Sequence, residues 1–103
     1  MIEAGKEQSL IRTLWTHLPL EQNKPVTHTD VKVDPTLLIP TKRNYYTFPG
    51  SLTAPPCTEG VLWLVLKSPI QVSKEQLAGF GTLYKNNVRP VQAVNNRLIK
   101  ESR

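Results

Sequence analysis

The chain carries two histidines, His17 and His28, and a single cysteine, Cys57. A catalytic zinc ion takes three protein ligands and keeps a fourth position open. Neither histidine has a companion two, three or four residues away, so neither fits the local spacing of a metal site. His17 precedes Leu18-Pro19 and reads better as a helix C-terminal histidine, its positive form favoured there by the helix dipole. His28 reads as a surface histidine. Cys57 lacks a paired histidine, and Ser51 and Thr53 lack a local base, so covalent catalysis is not indicated. No phosphate-cradling glycine loop is present. One cysteine excludes a disulfide within the chain and leaves the compartment open. In an exported protein it needs a partner from elsewhere, and in the cytosol it is a free thiol.

With 103 residues, the chain is one domain or a piece of one. Its 39% hydrophobic and 20% charged residues are globular rather than disordered proportions. Thirteen Lys and Arg against eight Asp and Glu give a net charge of +5. Lys42-Arg43 followed by Tyr45-Tyr46 could serve phosphate contact and base stacking. The remaining cations, however, are scattered and interrupted by Glu75 and Glu101. A solvated face therefore ranks above a nucleic-acid-binding module, and no nucleic-acid partner is expected. The longest apolar run, Val61 to Leu66, is strand-sized, so no membrane span is expected. The first residues lack the basic-then-apolar order of a signal peptide.

The positioning elements follow from periodicity. Leu10, Ile11, Leu14, Trp15 and Leu18 make one helical stripe, with Glu7 near its positive end and Pro19 as its stop. Residues 19 to 44 form an ordered, irregular connection punctuated by Pro19, Pro25, Pro35 and Pro40. Within it, Val31 and Val33 predict a short edge strand. Asp34-Pro35 predicts a turn, with Leu37, Leu38 and Ile39 tucked into the core. Tyr45 to Phe48 predicts a strand ended by Pro49-Gly50. Ser51 to Cys57 is stiffened by Pro55 and Pro56. Residues 61 to 67 put Val61, Trp63 and Val65 on one face and Leu62, Leu64 and Leu66 on the other. A strand apolar on both faces belongs in the middle of a sheet covered twice, and so short a chain can hardly supply both covers. Ser73 and Gln76 have the spacing of a capping box, with Val72 and Leu77 as its hydrophobic staple. Gly79 and Gly81 limit that helix to two or three turns. The tail from Asn86 reads as a strand or extended segment lying on a sheet.

The stretch Tyr45-Tyr46-Thr47-Phe48-Pro49-Gly50-Ser51-Leu52-Thr53-Ala54-Pro55-Pro56-Cys57-Thr58-Glu59-Gly60-Val61, continued by Trp63 and Val65-Leu66-Lys67-Ser68-Pro69-Ile70, resembles the α-class carbonic anhydrases. So do Asn87-Val88-Arg89-Pro90-Val91-Gln92 and Asn95-Asn96-Arg97, and upstream Glu3 to Glu7 and Leu14 to Pro19. The resemblance covers essentially the whole chain but only the C-terminal portion of the family's domain. Residues 1–103 are accordingly expected to be that portion, without the N-terminal portion that carries the zinc ligands. The implied fold is mixed α+β and predominantly β, built on a central twisted, mostly antiparallel sheet.

The resemblance implies zinc-dependent, reversible hydration of CO2 to bicarbonate and a proton by the intact protein. It implies that Thr53 is the gatekeeper, accepting a hydrogen bond from zinc-bound hydroxide while its N–H binds the substrate-side oxygen. Leu52, Val61 and Trp63 match the apolar CO2 wall, with Ala54 beside it where a second Thr is common. Glu59 resembles a buried structural carboxylate, and Arg89 and Arg97 resemble structural anchors. Cys57 is implied to pair with a cysteine near the domain's beginning, as in the bacterial, exported subset, which places the protein in the periplasm or outside the cell. Neither His17 nor His28 aligns with a ligand, so Zn2+ would not be bound by this chain, which is expected to be inert alone. The implied partners are CO2 and bicarbonate, the missing N-terminal portion and, for the intact protein, a second copy in a homodimer. On the residues alone, Thr53 could equally be satisfying backbone groups in a proline-stiffened turn. A non-catalytic piece that assembles with a partner is the alternative reading.

Overall fold

A computed structural model describes residues 1–19, 21 and 23–103. The elements in chain order are β1 (Ile2–Ala4), α1 (Ser9–Thr16), a 3-10 turn (Pro35–Leu38), β2 (Tyr45–Ser51), β3 (Glu59–Leu66), β4 (Ile70–Val72), α2 (Lys74–Leu83) and β5 (Lys100–Glu101). They fall into two compact units. One is Ile2–Pro40 with Pro69–Lys85, and the other is Thr41–Ser68 with Asn86–Arg103 and Met1. The fold is mixed α+β.

In the first unit, β1 and β4 pair in parallel, Ile2 opposite Ile70 through Ala4 opposite Val72. The apolar stripe of α1 buries Leu10 and Ile11, which with Val72 are the buried hydrophobic residues among those described. The Gln8 side chain caps α1 by accepting from the Ile11 N–H. Glu7 forms an ion pair with Arg12, which holds the Glu7 carboxyl below the usual carboxylate range. At the other end of the helix, the His17 N–H donates to the Leu14 carbonyl, and α1 ends at Thr16, three residues before Pro19.

The capping box of α2 is present: Ser73 Oγ accepts from the Gln76 N–H at 3.2 Å, and Gln76 Oε1 accepts from the Ser73 N–H at 3.0 Å. Gln76 is 7% exposed and also ties α2 to α1. Its Oε1 accepts from the Gln8 N–H at 3.0 Å, and its Nε2 donates to the Gln8 carbonyl at 2.8 Å. Trp15 Nε1 donates to the Gln76 carbonyl at 2.7 Å. The Trp15 ring stacks on Phe80 at 5.5 Å, and Phe80 meets Tyr84 at 5.1 Å.

Two expectations for the connection are corrected. Val31 and Val33 form no strand, because no partner strand lies along them; the described segment is irregular. The turn at Asp34-Pro35 is a 3-10 helix capped by Asp34, whose carboxyl the Thr36 hydroxyl, and then the Thr36 N–H, hold below its ordinary range. Leu37 and Ile39 are exposed rather than buried, since one 3-10 turn cannot aim three successive side chains at one core.

In the second unit, β2 is the centre of a three-stranded antiparallel sheet of order β3-β2-β5. The strand continues through Pro49-Gly50 to Ser51 instead of ending there. Tyr45 exchanges backbone and side-chain hydrogen bonds with Ser102 on the β5 side. By the two-residue alternation of an antiparallel ladder, Pro49 faces that same side, beyond the end of β5, where no N–H is required. Gly50 is needed for a different reason: a Cβ there would lie 2.8 Å from Trp63 Cδ1.

The strand with two apolar faces is an edge strand within this chain, not a central one. Val61, Trp63 and Val65 are half-buried, whereas Leu62 and Leu64 are 65% and 58% exposed. The tail contributes β5, which pairs Glu101 with Tyr46 and Lys100 with Thr47; the rest of it is irregular.

Candidate functional site

The site is built where β2 passes into β3. Gly50 is opposite Val61 but Ser51 is opposite Glu59, so Gly60 is an extra residue on β3. Its φ of 89° is one that glycine adopts without a Cβ penalty, and the bulge bends the strand at this point. The Leu52 N–H donates to the Thr58 carbonyl at 2.9 Å, extending the pairing beyond the ladder. Inside that closure, the Cys57 N–H donates to the Ala54 carbonyl at 2.9 Å across Pro55 and Pro56, whose peptide bond is cis. This is the type VI turn geometry, with proline in the third position. Cys57 follows with φ 58° and a half-buried free thiol.

Thr53 stands between these two closures. It is exposed, and among the described residues no hydrogen bond engages its hydroxyl or its N–H. It lines a cleft of about 760 Å³ together with Phe48, Ser51, Glu59, Trp63, Arg89 and Arg97, among others. The structure therefore brings Thr53 and Trp63 to one cleft, along with Glu59, Arg89 and Arg97. Leu52, Ala54 and Val61 are outside its lining. Leu52 and Ala54 are exposed on the loop, and Val61 is half-buried on the same face of β3 as Trp63.

Glu59 is exposed in this chain. At the start of an edge strand, nothing in this unit covers its carboxylate. Among the described residues neither Arg89 nor Arg97 forms an ion pair. Arg97 is held by backbone carbonyls: Nη1 donates to Pro49 at 3.0 Å, Nε to Val94 at 2.9 Å and Nη2 to Ala93 at 2.9 Å. Its guanidinium lies 5.8 Å from the Phe48 ring centroid, so one side chain stitches the tail to β2. Arg89 Nη1 donates to Ser51 Oγ at 2.9 Å.

Ser51 is the positioning residue that spacing alone does not single out. Its hydroxyl accepts from Arg89 and donates to the Leu52 carbonyl at 3.0 Å, while its own carbonyl accepts from Trp63 Nε1 at 3.1 Å. The residue two before Thr53 is thus fixed from the tail and from β3. The sequence signal for this was the nearness of Ser51 to Trp63 across a hairpin; the Arg89 contact spans 38 residues and leaves no local trace.

Chemically, the cleft can orient a small ligand through a hydroxyl and an N–H on one residue. Among the described residues, no group of three or more His, Cys, Asp and Glu side chains could hold a metal ion. The residues present do not fit the catalytic zinc implied by resemblance. The histidines belong to the first unit, where His17 and His28 meet with ring centroids 5.0 Å apart. Lys67 Nζ pairs with Glu101 at 2.6 Å and sits 4.9 Å from the Tyr46 ring centroid, so that cation and that aromatic are engaged with each other. Among the described residues, no helix is long and apolar enough to cross a membrane.

Residues 1–103 match the model of the family described as eukaryotic-type carbonic anhydrase. The chain is 40% identical over 102 residues to a carbonic anhydrase of Klebsiella pneumoniae, covering 98% of this chain and 41% of that one. It is 36% identical over 101 residues to a carbonic anhydrase of Nostoc sp., covering 98% of this chain and 38% of that one. The solved structure of a hyperthermostable carbonic anhydrase from an active hydrothermal vent chimney superposes with a TM-score of 0.91 at 39% identity, covering 98% of this chain and 45% of that one. The chain thus spans about two-fifths of the length of the curated relatives it matches.

Proposed function

The chain belongs to the α-class carbonic anhydrase family, and from that premise we propose that it is the C-terminal portion of a domain that hydrates CO2 reversibly to bicarbonate and a proton. The closing residues, Asn87 to Gln92 and Asn95 to Arg97, support the C-terminal placement by their resemblance to the family's ending. The zinc ligands of the intact protein are assigned to the part of the domain that this chain does not span. Residues 1–103 contribute orientation and shape.

The observation that carries this reading is Thr53, which lines the cleft between two hydrogen-bonded closures and whose hydroxyl and N–H take no hydrogen bond among the described residues. In the proposed role, its hydroxyl accepts a hydrogen bond from the attacking oxygen and so fixes the direction of that oxygen's lone pair. Its N–H donates to the substrate-side oxygen. CO2 has no charge and no net dipole, so it is held by an apolar wall beside an oriented nucleophile. Trp63, which lines the cleft with Thr53, supplies part of that wall; Leu52 and Val61, outside that lining in this chain, complete it in the intact domain, with Ala54, lacking a hydroxyl, beside them. Arg89 and Arg97 anchor the tail beneath the loop, and Glu59 becomes covered when the domain is complete. Cys57 pairs with a cysteine outside this chain, consistent with a periplasmic or secreted protein. Non-reducing peptide mapping of the intact protein is expected to find that bridge, and Cys57 recovered wholly as a free thiol would contradict it.

The exposed Leu62 and Leu64 on the strand at the sheet's open edge favour a second, compatible reading, in which the chain acts by assembly with the remainder of the domain. Mixing the chain with a polypeptide that carries that remainder should give a 1:1 complex by light scattering. A stable monomer with no affinity for it would overturn the assembly reading.

A further inference from the structure

His17 and His28 are eleven positions apart in sequence, yet their rings meet with centroids 5.0 Å apart and planes at 72°. We propose that this pair is a two-histidine site for a divalent transition-metal ion of the zinc kind, clipping the irregular segment that carries His28 to the C-terminal end of α1. The inference rests on this pair's geometry and is independent of the CO2 reading.

Three observations carry it. The first is spacing. Two imidazoles bound to one ion at about 2.0–2.1 Å, with a near-tetrahedral angle between them, hold their ring centroids about 5 Å apart. The observed separation of 5.0 Å falls in that range, so turning the rings can bring both to a shared ion. The second is the tautomer of His17. Its Nδ1 lies 2.8 Å from the Thr13 carbonyl oxygen. A carbonyl can only accept, so Nδ1 carries the proton and the lone pair is left on Nε2. A histidine whose second nitrogen donates to a backbone carbonyl is the usual arrangement for a metal ligand, because that bond fixes the ring and raises its basicity. The third is electrostatic. His17 caps the C-terminus of α1, where the negative end of the helix dipole favours a cation.

The two ligands differ in a useful way. His17 is half-buried and fixed to its own helix, whereas His28 is exposed on a segment without helix or strand and can turn to meet the ion. Imidazole nitrogen selects zinc, nickel or copper over magnesium or calcium, and water completes the coordination. Two ligands make this a clip, weaker than a three-histidine centre.

Titration of ZnCl2 into the metal-free 103-residue chain, followed by calorimetry and by imidazole nitrogen NMR, tests the site. The expected result is one ion per chain, with Nε2 of His17 and one nitrogen of His28 shifting together while Nδ1–H of His17 is retained. His17→Asn and His28→Asn should each weaken binding by roughly tenfold or more, whereas Cys57→Ser should leave it unchanged. Magnesium should not compete. His28 is exposed, so its variant keeps the test sound if the His17 variant fails to fold. Absence of binding up to about 1 mM zinc, binding unaltered in His28→Asn, or a dependence on Cys57 would reduce the pair to an edge-to-face ring contact and overturn the site.

Discussion

Thr53→Val in the intact protein is expected to lower kcat/KM for CO2 hydration by about a hundredfold or more, the usual effect of losing one oriented hydrogen-bonding group at a reacting centre. Valine keeps the shape of threonine and removes only the hydroxyl, so the loss reports orientation of the attacking oxygen and not a change of packing. Thr53 is exposed and makes no hydrogen bond among the described residues, so stability should change by no more than about 0.5 kcal/mol. Thr53→Ser keeps the hydroxyl but frees its rotation, and should recover most of the activity. The turn that holds the residue is set by Pro55, Pro56 and two backbone closures, none of which the substitution touches. Stopped-flow hydration assays with matched urea melts separate the two effects. A valine variant with wild-type kcat/KM would remove Thr53 from the reaction.

Gln76→Ala is expected to cost about 2–4 kcal/mol of folding stability. The Gln76 amide is buried and satisfies three backbone groups at once: the Gln8 N–H, the Gln8 carbonyl and the Ser73 N–H. Alanine leaves all three without that partner at the junction of two helix N-termini. A buried donor or acceptor left unmade costs more than a hydrogen bond gains, and here the losses fall in one place. Gln76→Glu should also destabilise, because it retains the acceptor but sets a carboxylate against the Gln8 carbonyl. Lys74→Ala, exposed in the same first turn of α2, serves as the control and should stay within about 0.5 kcal/mol. Urea denaturation followed by far-UV circular dichroism gives these differences. A Gln76→Ala protein as stable as the Lys74→Ala control would show that the amide network is not what joins α1 to α2.

What could be read from the residues divides along physical lines. The capping box at Ser73 and Gln76 was readable because both partners lie within one helical turn. The apolar stripe of α1 and the alternation along β3 were readable for the same reason, since period and local geometry are linked. The other use of Gln76, toward Gln8, was not, because it spans 68 residues. Val31 and Val33 illustrate the opposite error: alternation says that a strand could form, but only a partner makes one. Pro49 does not end its strand because the sheet offers an open side that no local rule reveals. Within the site, the Thr53 loop was readable from its prolines and from family resemblance. The exposure of Glu59, the anchoring of Ser51 by Arg89 and the meeting of His17 with His28 all depend on tertiary placement.

The most direct measurement is stopped-flow CO2 hydration by the purified 103-residue chain with one equivalent of zinc, alone and after adding the polypeptide that carries the rest of the domain. With Thr53 present but no group of three or more metal-ligating side chains among the described residues, the chain alone should run at the uncatalysed rate. Catalysis should appear on mixing and should be lost again with Thr53→Val. Robust zinc-dependent hydration by the chain alone would contradict the assignment of orientation to this portion and metal chemistry to the other.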